Sequence, residues 1–184
     1  MIEVELKFRT DDVSRVRQQV KEMGGLSEQV IEQVDTYFAH PVRDFAMSDE
    51  ALRIRVVGDR ACVTYKGPLL DQATKSREET EIWFTGGSND EAGFASMLES
   101  LSFRPVRIVK KRREPWSLRW QERDVEVAID AVDGLGDFVE LETAATKEDF
   151  ESAKAILLSL ADVLSLSDSE RRSYLAMLLA GDEA

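Results

Sequence analysis

Charged side chains recur at every second position near the start of the chain. Glu3, Glu5, Lys7 and Arg9 alternate with apolar residues in the run Ile2-Glu3-Val4-Glu5-Leu6-Lys7-Phe8-Arg9. This alternation is typical of a β-strand with one polar and one apolar face. Two carboxylates and two cations on one face would be able to bind a metal ion together with an anion. The other interpretation is an ordinary amphipathic strand whose charges lie in solvent.

The same alternation recurs in later segments, where the polar face of a strand carries charge of one sign. The cationic faces carry Arg53 and Arg55, then Lys66, then Lys111 and Arg113. The acidic faces carry Glu126 and Asp130, then Glu140 and Glu142. Faces that were simply solvated would be expected to mix the two signs, so the separation is also compatible with a shared polar interior.

Two architectures accommodate these faces. In the first, a sheet packs its apolar face on helices and leaves its charged face in water. In the second, the sheet closes into a barrel, with the apolar faces outward beneath helices and the charged faces inward around a wet tunnel. Such a tunnel would hold a polyanion with Lys and Arg, while carboxylates held Mg²⁺ or Mn²⁺ against it.

The elements that would position these residues follow from turn and periodicity signals. Short strands joined by hairpins predict an antiparallel α+β domain, with one hairpin at Gly58-Asp59. A second hairpin is predicted from strands at 106–111 and 116–122 around Glu114-Pro115, and residues 69–76 are predicted to form a mobile loop. Amphipathic helices are predicted at about 147–181, the last of them starting near Asp168.

Composition limits the classes of function. The 184 residues suit a single domain, 1–184, and the net charge of −12 argues against a nucleic-acid or anionic-membrane surface. Cys62 is the single cysteine, which excludes an internal disulfide and suits the reducing cytoplasm. The sequence shows no apolar run of about 20 residues, and its strand-like start at Ile2-Glu3 predicts that no signal peptide is present. The apolar last helix permits a homodimer without requiring one.

The ordered motifs resemble those of the CYTH family of triphosphate tunnel enzymes. The resemblance begins with Glu3-x-Glu5-x-Lys7 and covers nearly the whole chain. It continues through Asp35-Thr36-Tyr37-Phe38, Leu52-Arg53-Ile54-Arg55, Thr64-Tyr65-Lys66-Gly67-Pro68, Arg77-x-Glu79-x-Glu81, Lys111-x-Arg113, Asp130, Gly134 to Glu142 and Ser173-Tyr174-Leu175. It implies an eight-stranded antiparallel closed barrel with helices packed outside.

The resemblance also implies roles for individual residues. The implied metal ligands, for Mg²⁺ or Mn²⁺, are Glu3, Glu5, Asp130, Glu140 and Glu142. The implied phosphate ligands are Lys7, Arg53, Arg55, Lys66, Lys111 and Arg113. Glu3, Glu5, Lys7, Asp130 and Glu140 are the expected catalytic set. Glu79 and Glu81 would orient the cations, and Arg77 would contact either carboxylates or phosphate.

Within the family one tunnel supports different reactions. The segments 37–45, 49–53 and 64–68 look most like the class IV adenylyl cyclase branch, which would convert ATP to cyclic AMP and pyrophosphate. The alternatives are a triphosphatase acting on thiamine triphosphate or inorganic triphosphate, and a module that binds nucleotides or polyphosphate without turnover. The number of acidic positions argues against the last, because anion binding alone needs only the cations.

Overall fold

The computed structural model describes residues 2–70, 74–84 and 88–182. Within these ranges the chain forms nine strands and five helices. The strands are β1 (Ile2–Arg9), β2 (Leu26–Ser27), β3 (Ile31–Ala39), β4 (Ala51–Val57), β5 (Arg60–Lys66), β6 (Arg77–Trp83), β7 (Arg104–Trp120), β8 (Arg123–Val132) and β9 (Gly136–Ala145). The helices are α1 (Val13–Glu22), α2 (Phe45–Ser48), α3 (Ser88–Ser100), α4 (Phe150–Val163) and α5 (Tyr174–Asp182).

Eight of these strands close into an antiparallel barrel. The order around it is β1-β6-β5-β4-β3-β7-β8-β9, and pairing of β9 with β1 completes the ring. The short strand β2 is an addition outside this ring and pairs only with the second half of β7. The closed barrel predicted from the sequence is therefore confirmed, and the one-sided sheet is wrong.

Strand β7 corrects the predicted hairpin around Glu114-Pro115. The chain runs straight through both residues as one strand of 17 residues, and the turn comes after Trp120 instead. The carbonyl of Pro115 accepts from the Glu28 N–H at 2.9 Å, so this residue faces the gap between β2 and β3. Because the N and C=O of one strand residue point to the same side, the missing N–H of proline costs no ladder bond to β8.

The apolar faces of the strands point outward and form the main core. On β1 the buried outward residues are Ile2, Val4, Leu6 and Phe8. They pack with Val16 and Val20 of α1 and with Leu157 and Leu160 of α4. Burial of each large apolar side chain contributes roughly 1.5–3 kcal/mol, so this core fixes which face of each strand points outward. The alternating charged residues must then point inward.

The C-terminal segment covers one end of the barrel. Tyr174 and Leu178 of α5 pack on Val109 and Phe138, which are buried inward-facing residues of β7 and β9. The last helix begins at Tyr174 rather than near Asp168, because Asp168 has a φ of 58°, a left-handed conformation that a helix excludes. None of the helices in the described ranges is long and apolar enough to cross a membrane.

Candidate active site

The barrel interior is a polar cavity of about 460 Å³. Because directly opposed residues of antiparallel strands share a face, the register alone brings the predicted charges together: Glu5 lies opposite Glu142, and Lys7 lies opposite Glu140. Of the metal and phosphate ligands proposed from the sequence, those lining this cavity are Glu3, Glu5, Arg53, Arg55, Lys66, Lys111, Arg113, Glu140 and Glu142, and Arg77, Glu79 and Glu81 line it as well. Lys7 and Asp130 lie at its wall, almost fully buried.

Lys75 is a cation of this site that the sequence analysis missed. Its side chain is 8% exposed and its ammonium lies 2.6 Å from Glu5 Oε1, while its backbone N–H donates to the Glu5 carbonyl at 3.0 Å. The residue stands in the predicted mobile loop 69–76, where no alternation marks an inward face. Residues 71–73 of that loop lie outside the described residues, but Thr74 and Ser76 are also buried.

Lys7 lies beside Lys75 at the wall of the tunnel. Burial, followed by repulsion from Lys75, lowers the pKa of Lys7 to about 7, although Glu140 and Glu5 favour its charged form. Its ammonium donates to the Arg172 carbonyl, and the Glu170 N–H donates back to the Lys7 carbonyl at 2.7 Å. The segment before α5 is thus tied directly to β1.

Asp35 organises the cations of β4. Arg55 binds it through two nitrogens at 2.7 Å each, and Arg53 Nη1 donates to it at 3.2 Å. Burial disfavours the charged carboxylate, but the two arginines outweigh burial and hold the pKa of Asp35 well below its usual range. Arg53 Nε is buried and meets no acceptor among the described residues, so this donor is available to an anion in the tunnel. Asp35 belongs to the motif Asp35-Thr36-Tyr37-Phe38, but its role at the arginines was not predicted from the sequence.

Lys66, at the end of β5, contacts carboxylates of the adjacent strand β6 and of β1, the next strand beyond it. Its ammonium lies 2.8 Å from Glu3 and 2.7 Å from Glu79. Arg53 Nη2 lies 4.0 Å from the same Glu79, which therefore contacts two of the proposed phosphate ligands. Arg77, by contrast, donates to the Asp49 carbonyl at 2.6 Å.

Asp130 is the most buried carboxylate of the site and contacts two cations. Lys111 Nζ approaches it at 2.7 Å, and Arg113 binds it through Nε and Nη2 at 2.8 Å each. The Tyr174 hydroxyl donates to it at 3.1 Å, and the Tyr174 ring lies 4.3 Å from the Lys7 ammonium. The structure therefore places the Asp130 carboxylate in direct contact with two of the proposed phosphate ligands, Lys111 and Arg113.

The remaining predicted metal ligands lie on β1 and β9. Burial raises the pKa of Glu142 well above its usual range, and Glu3, Glu140 and Glu5 add to the effect against the opposing influence of Arg113. Crowded carboxylate oxygens that the local cations do not fully neutralise are suitable ligands for Mg²⁺ or Mn²⁺. In the described ranges no three such groups converge as a ready metal cluster, since most are ion-paired with Lys or Arg. The carboxylate oxygens of these residues are donors that fit Mg²⁺ or Mn²⁺.

A closed barrel with paired cations and carboxylates inside is the architecture of a tunnel that binds polyanions. The comparisons with known proteins agree, because residues 1–174 match the CYTH domain family. The chain belongs to the CYTH family of triphosphate tunnel proteins, as its motifs predicted.

Relatives share this fold over almost their full lengths. A Methanocaldococcus jannaschii protein provisionally named an adenylate cyclase is 36% identical over 182 residues, 96% of this chain and 98% of its own. Adenylate cyclase CyaB of Aeromonas hydrophila is 29% identical over 94% of this chain and 86% of its own. A solved structure from Pyrococcus horikoshii has a TM-score of 0.85 at 34% identity, with 97% and 99% of the two chains covered.

A more distant structure shares only the fold. It is a Hippeastrum protein named for adenylyl cyclase and described as having a dominant triphosphatase activity. Its TM-score is 0.68 at 20% identity, with 98% of this chain and 95% of that chain covered.

Proposed function

We propose that this protein is a class IV adenylyl cyclase that converts ATP to cyclic AMP and pyrophosphate with Mg²⁺ or Mn²⁺. The names of its relatives from Methanocaldococcus and Aeromonas support the reaction. The observation that carries the proposal is the buried Nε of Arg53, a cationic donor without an acceptor among the described residues, in a tunnel lined by further Lys and Arg. Such a donor favours an anionic ligand rich in acceptor oxygens.

The proposed phosphate ligands are Lys7, Arg53, Arg55, Lys66, Lys111 and Arg113, and we add Lys75 because it lines the same cavity. Several of them are held in the apoprotein by carboxylates, as Arg55 is by Asp35 and Lys66 is by Glu3. These pairs keep the cations at fixed positions before the substrate arrives, so less reorganisation is needed when charge develops on the phosphates. The apolar closure around Tyr174 excludes water from the covered end of the barrel.

The proposed metal ligands are Glu3, Glu5, Asp130, Glu140 and Glu142. A bound divalent cation would supply neutralisation of phosphate charge and of the charge on the leaving pyrophosphate. Ribose O3′ attacks the α-phosphorus, the bond from that phosphorus to the β,γ-pyrophosphate oxygen breaks, and the hydroxyl proton passes to solvent water. The residues of this chain hold the phosphates in line for that displacement.

A triphosphatase is the second candidate, and the Hippeastrum protein is the reason to retain it. The two folds correspond over nearly their whole lengths, and that protein is described as mainly a triphosphatase. In this reaction water attacks the terminal phosphorus of thiamine triphosphate or inorganic triphosphate, and the same cations bind the phosphates.

Product analysis separates the candidates. The purified protein is incubated with ATP, thiamine triphosphate or inorganic triphosphate, each with Mg²⁺ or Mn²⁺, from neutral to alkaline pH. The proposal expects cyclic AMP and pyrophosphate in equal amounts from ATP. Orthophosphate without cyclic AMP would assign the protein to the triphosphatases. Binding without any product would leave a module that binds without turnover.

A further inference from the structure

Among the described residues of the tunnel, Gln33 is an uncharged polar side chain whose carbonyl oxygen has no hydrogen-bond partner. Gln33 lies on β3, is 5% exposed and lines the cavity. Its carbonyl oxygen, Oε1, is buried and receives no hydrogen bond from any described residue. An unsatisfied buried acceptor costs roughly 1–3 kcal/mol, so native proteins seldom retain one without a reason.

The cations nearest to Gln33 in the sheet bind carboxylates and donate no hydrogen bond to this oxygen. Lys111 lies directly opposite Gln33 across the β3–β7 pair, but its ammonium is 2.7 Å from Asp130. Arg55 is close by on β4, but two of its nitrogens bind Asp35. Inside the tunnel, Oε1 is therefore open to a donor that arrives with a ligand.

Because Oε1 is a hydrogen-bond acceptor, the ligand group that binds it must be a hydrogen-bond donor. At neutral pH the phosphate oxygens of a triphosphate accept hydrogen bonds and do not donate them, so they cannot satisfy Oε1. A hydroxyl or amino group on an organic substituent can. The cavity surface beside Gln33 includes the apolar side chains of Ile31, Val57 and Pro115, which suits an organic group better than a phosphate.

Arg53 Nε is the complementary unpaired group, a donor that requires an acceptor. Arg53 lies opposite Tyr37, which is four residues along β3 from Gln33. The two unpaired groups on this wall are therefore complementary in chemistry: Arg53 Nε suits a phosphate oxygen, whereas Gln33 Oε1 suits a donor on an organic group.

We propose that Gln33 binds the organic part of the substrate by accepting a hydrogen bond from its hydroxyl or amino group, and so favours organic triphosphates over inorganic triphosphate. This inference rests on the proposed function, since it places a triphosphate in the tunnel. It makes Gln33 a specificity residue that contacts the substrate away from the phosphorus under attack.

The test compares Gln33→Leu with wild type by isothermal titration calorimetry, with Ca²⁺ in place of Mg²⁺ to slow turnover. The titrants are ATP, 2′,3′-dideoxy-ATP, purine riboside triphosphate and inorganic triphosphate. We expect about tenfold weaker binding of ATP by the variant and less than twofold change for inorganic triphosphate. If the donor is a ribose hydroxyl, wild type and variant should bind dideoxy-ATP equally, because this analogue lacks the hydroxyl. If the donor is the base amino group, they should bind purine riboside triphosphate equally.

Two controls separate a substrate contact from a structural role. Gln18→Leu makes the same substitution on an exposed position of α1 and should change no affinity. The melting temperature of ligand-free Gln33→Leu should equal or exceed that of wild type, because the substitution removes a buried unsatisfied acceptor. Equal loss of affinity for ATP and inorganic triphosphate, or no loss for either, would overturn the inference. Failure of wild type to bind any triphosphate would instead overturn the proposed function.

Discussion

Asp130 offers the sharpest test of how the tunnel holds its cations. Its carboxylate is fully buried and accepts from Lys111, from two nitrogens of Arg113 and from the Tyr174 hydroxyl, at 2.7–3.1 Å. Asp130→Asn keeps the size of the side chain but removes the negative charge and turns one acceptor into a donor. Lys111 and Arg113, both at most 7% exposed, then lose their main counter-charge.

Breaking a buried ion pair from one side costs roughly 3–5 kcal/mol, and the retained amide oxygen supports the lower value. For a chain of this size each kcal/mol lowers the melting temperature by about 2–4 °C, so we expect a fall of roughly 6–12 °C. Differential scanning calorimetry of the ligand-free protein measures it. Asp133→Asn, an exposed change in the β8–β9 turn, is the matched control and should shift the temperature by about 2 °C or less.

Ligand binding completes this test. Inorganic triphosphate without metal should stabilise Asp130→Asn at least as much as it stabilises wild type, because the anion meets two cations that no longer face the Asp130 carboxylate. A variant as stable as wild type would refute the view that Asp130 holds the cations in place. A variant that triphosphate fails to stabilise would refute the assignment of Lys111 and Arg113 as phosphate ligands.

Three further outcomes are expected. Burial raises the pKa of the Cys62 thiol to about 11, so the native protein at pH 8 should react with Ellman's reagent far more slowly than the unfolded protein, and rapid stoichiometric labelling would contradict the described packing. Lys75→Met should raise the KM for ATP about tenfold while the exposed Lys147→Met does not, and equal KM values would exclude Lys75 from the site. Hydrogen bonding to Arg172 lowers the pKa of Glu170 to about 2. Its contribution to the free energy of unfolding is therefore present above its unfolded pKa near 4.5 and is lost as the pH falls toward 2. Urea unfolding should show that Glu170→Gln loses less stability than wild type over that pH range.

Strand alternation predicted most of the barrel because it reports a local property, the side of a strand on which each residue lies. Glu3, Glu5 and Lys7 share a face by backbone geometry alone, and the core beneath α4 fixes which face points inward. Closure of the sheet is not a local property, since it depends on the pairing of β9 with β1. It was predicted from the order of the family motifs and not from periodicity.

The errors and omissions have physical causes. A proline normally interrupts a strand, but the side of Pro115 that lacks an N–H faces the gap between β2 and β3. No local sequence signal indicates this position. Lys75 enters the tunnel from a segment without periodicity, through its contacts with Glu5. Gln33 could be placed on an inward face from the sequence, but its unpaired oxygen depends on where every neighbouring donor points.

The cover formed by Tyr174 over one end of the barrel has a kinetic consequence. If the opposite end is the only opening, the products of the proposed cyclase reaction leave in an order set by their depth in the cavity. If ATP enters with its phosphates leading toward Arg53, the cyclic nucleotide lies between the pyrophosphate and the mouth after reaction. The nucleotide must then depart first, and pyrophosphate, as the last product to leave, competes with ATP for the empty protein. The rate of turnover in a cell would follow the removal of pyrophosphate more closely than the removal of cyclic AMP.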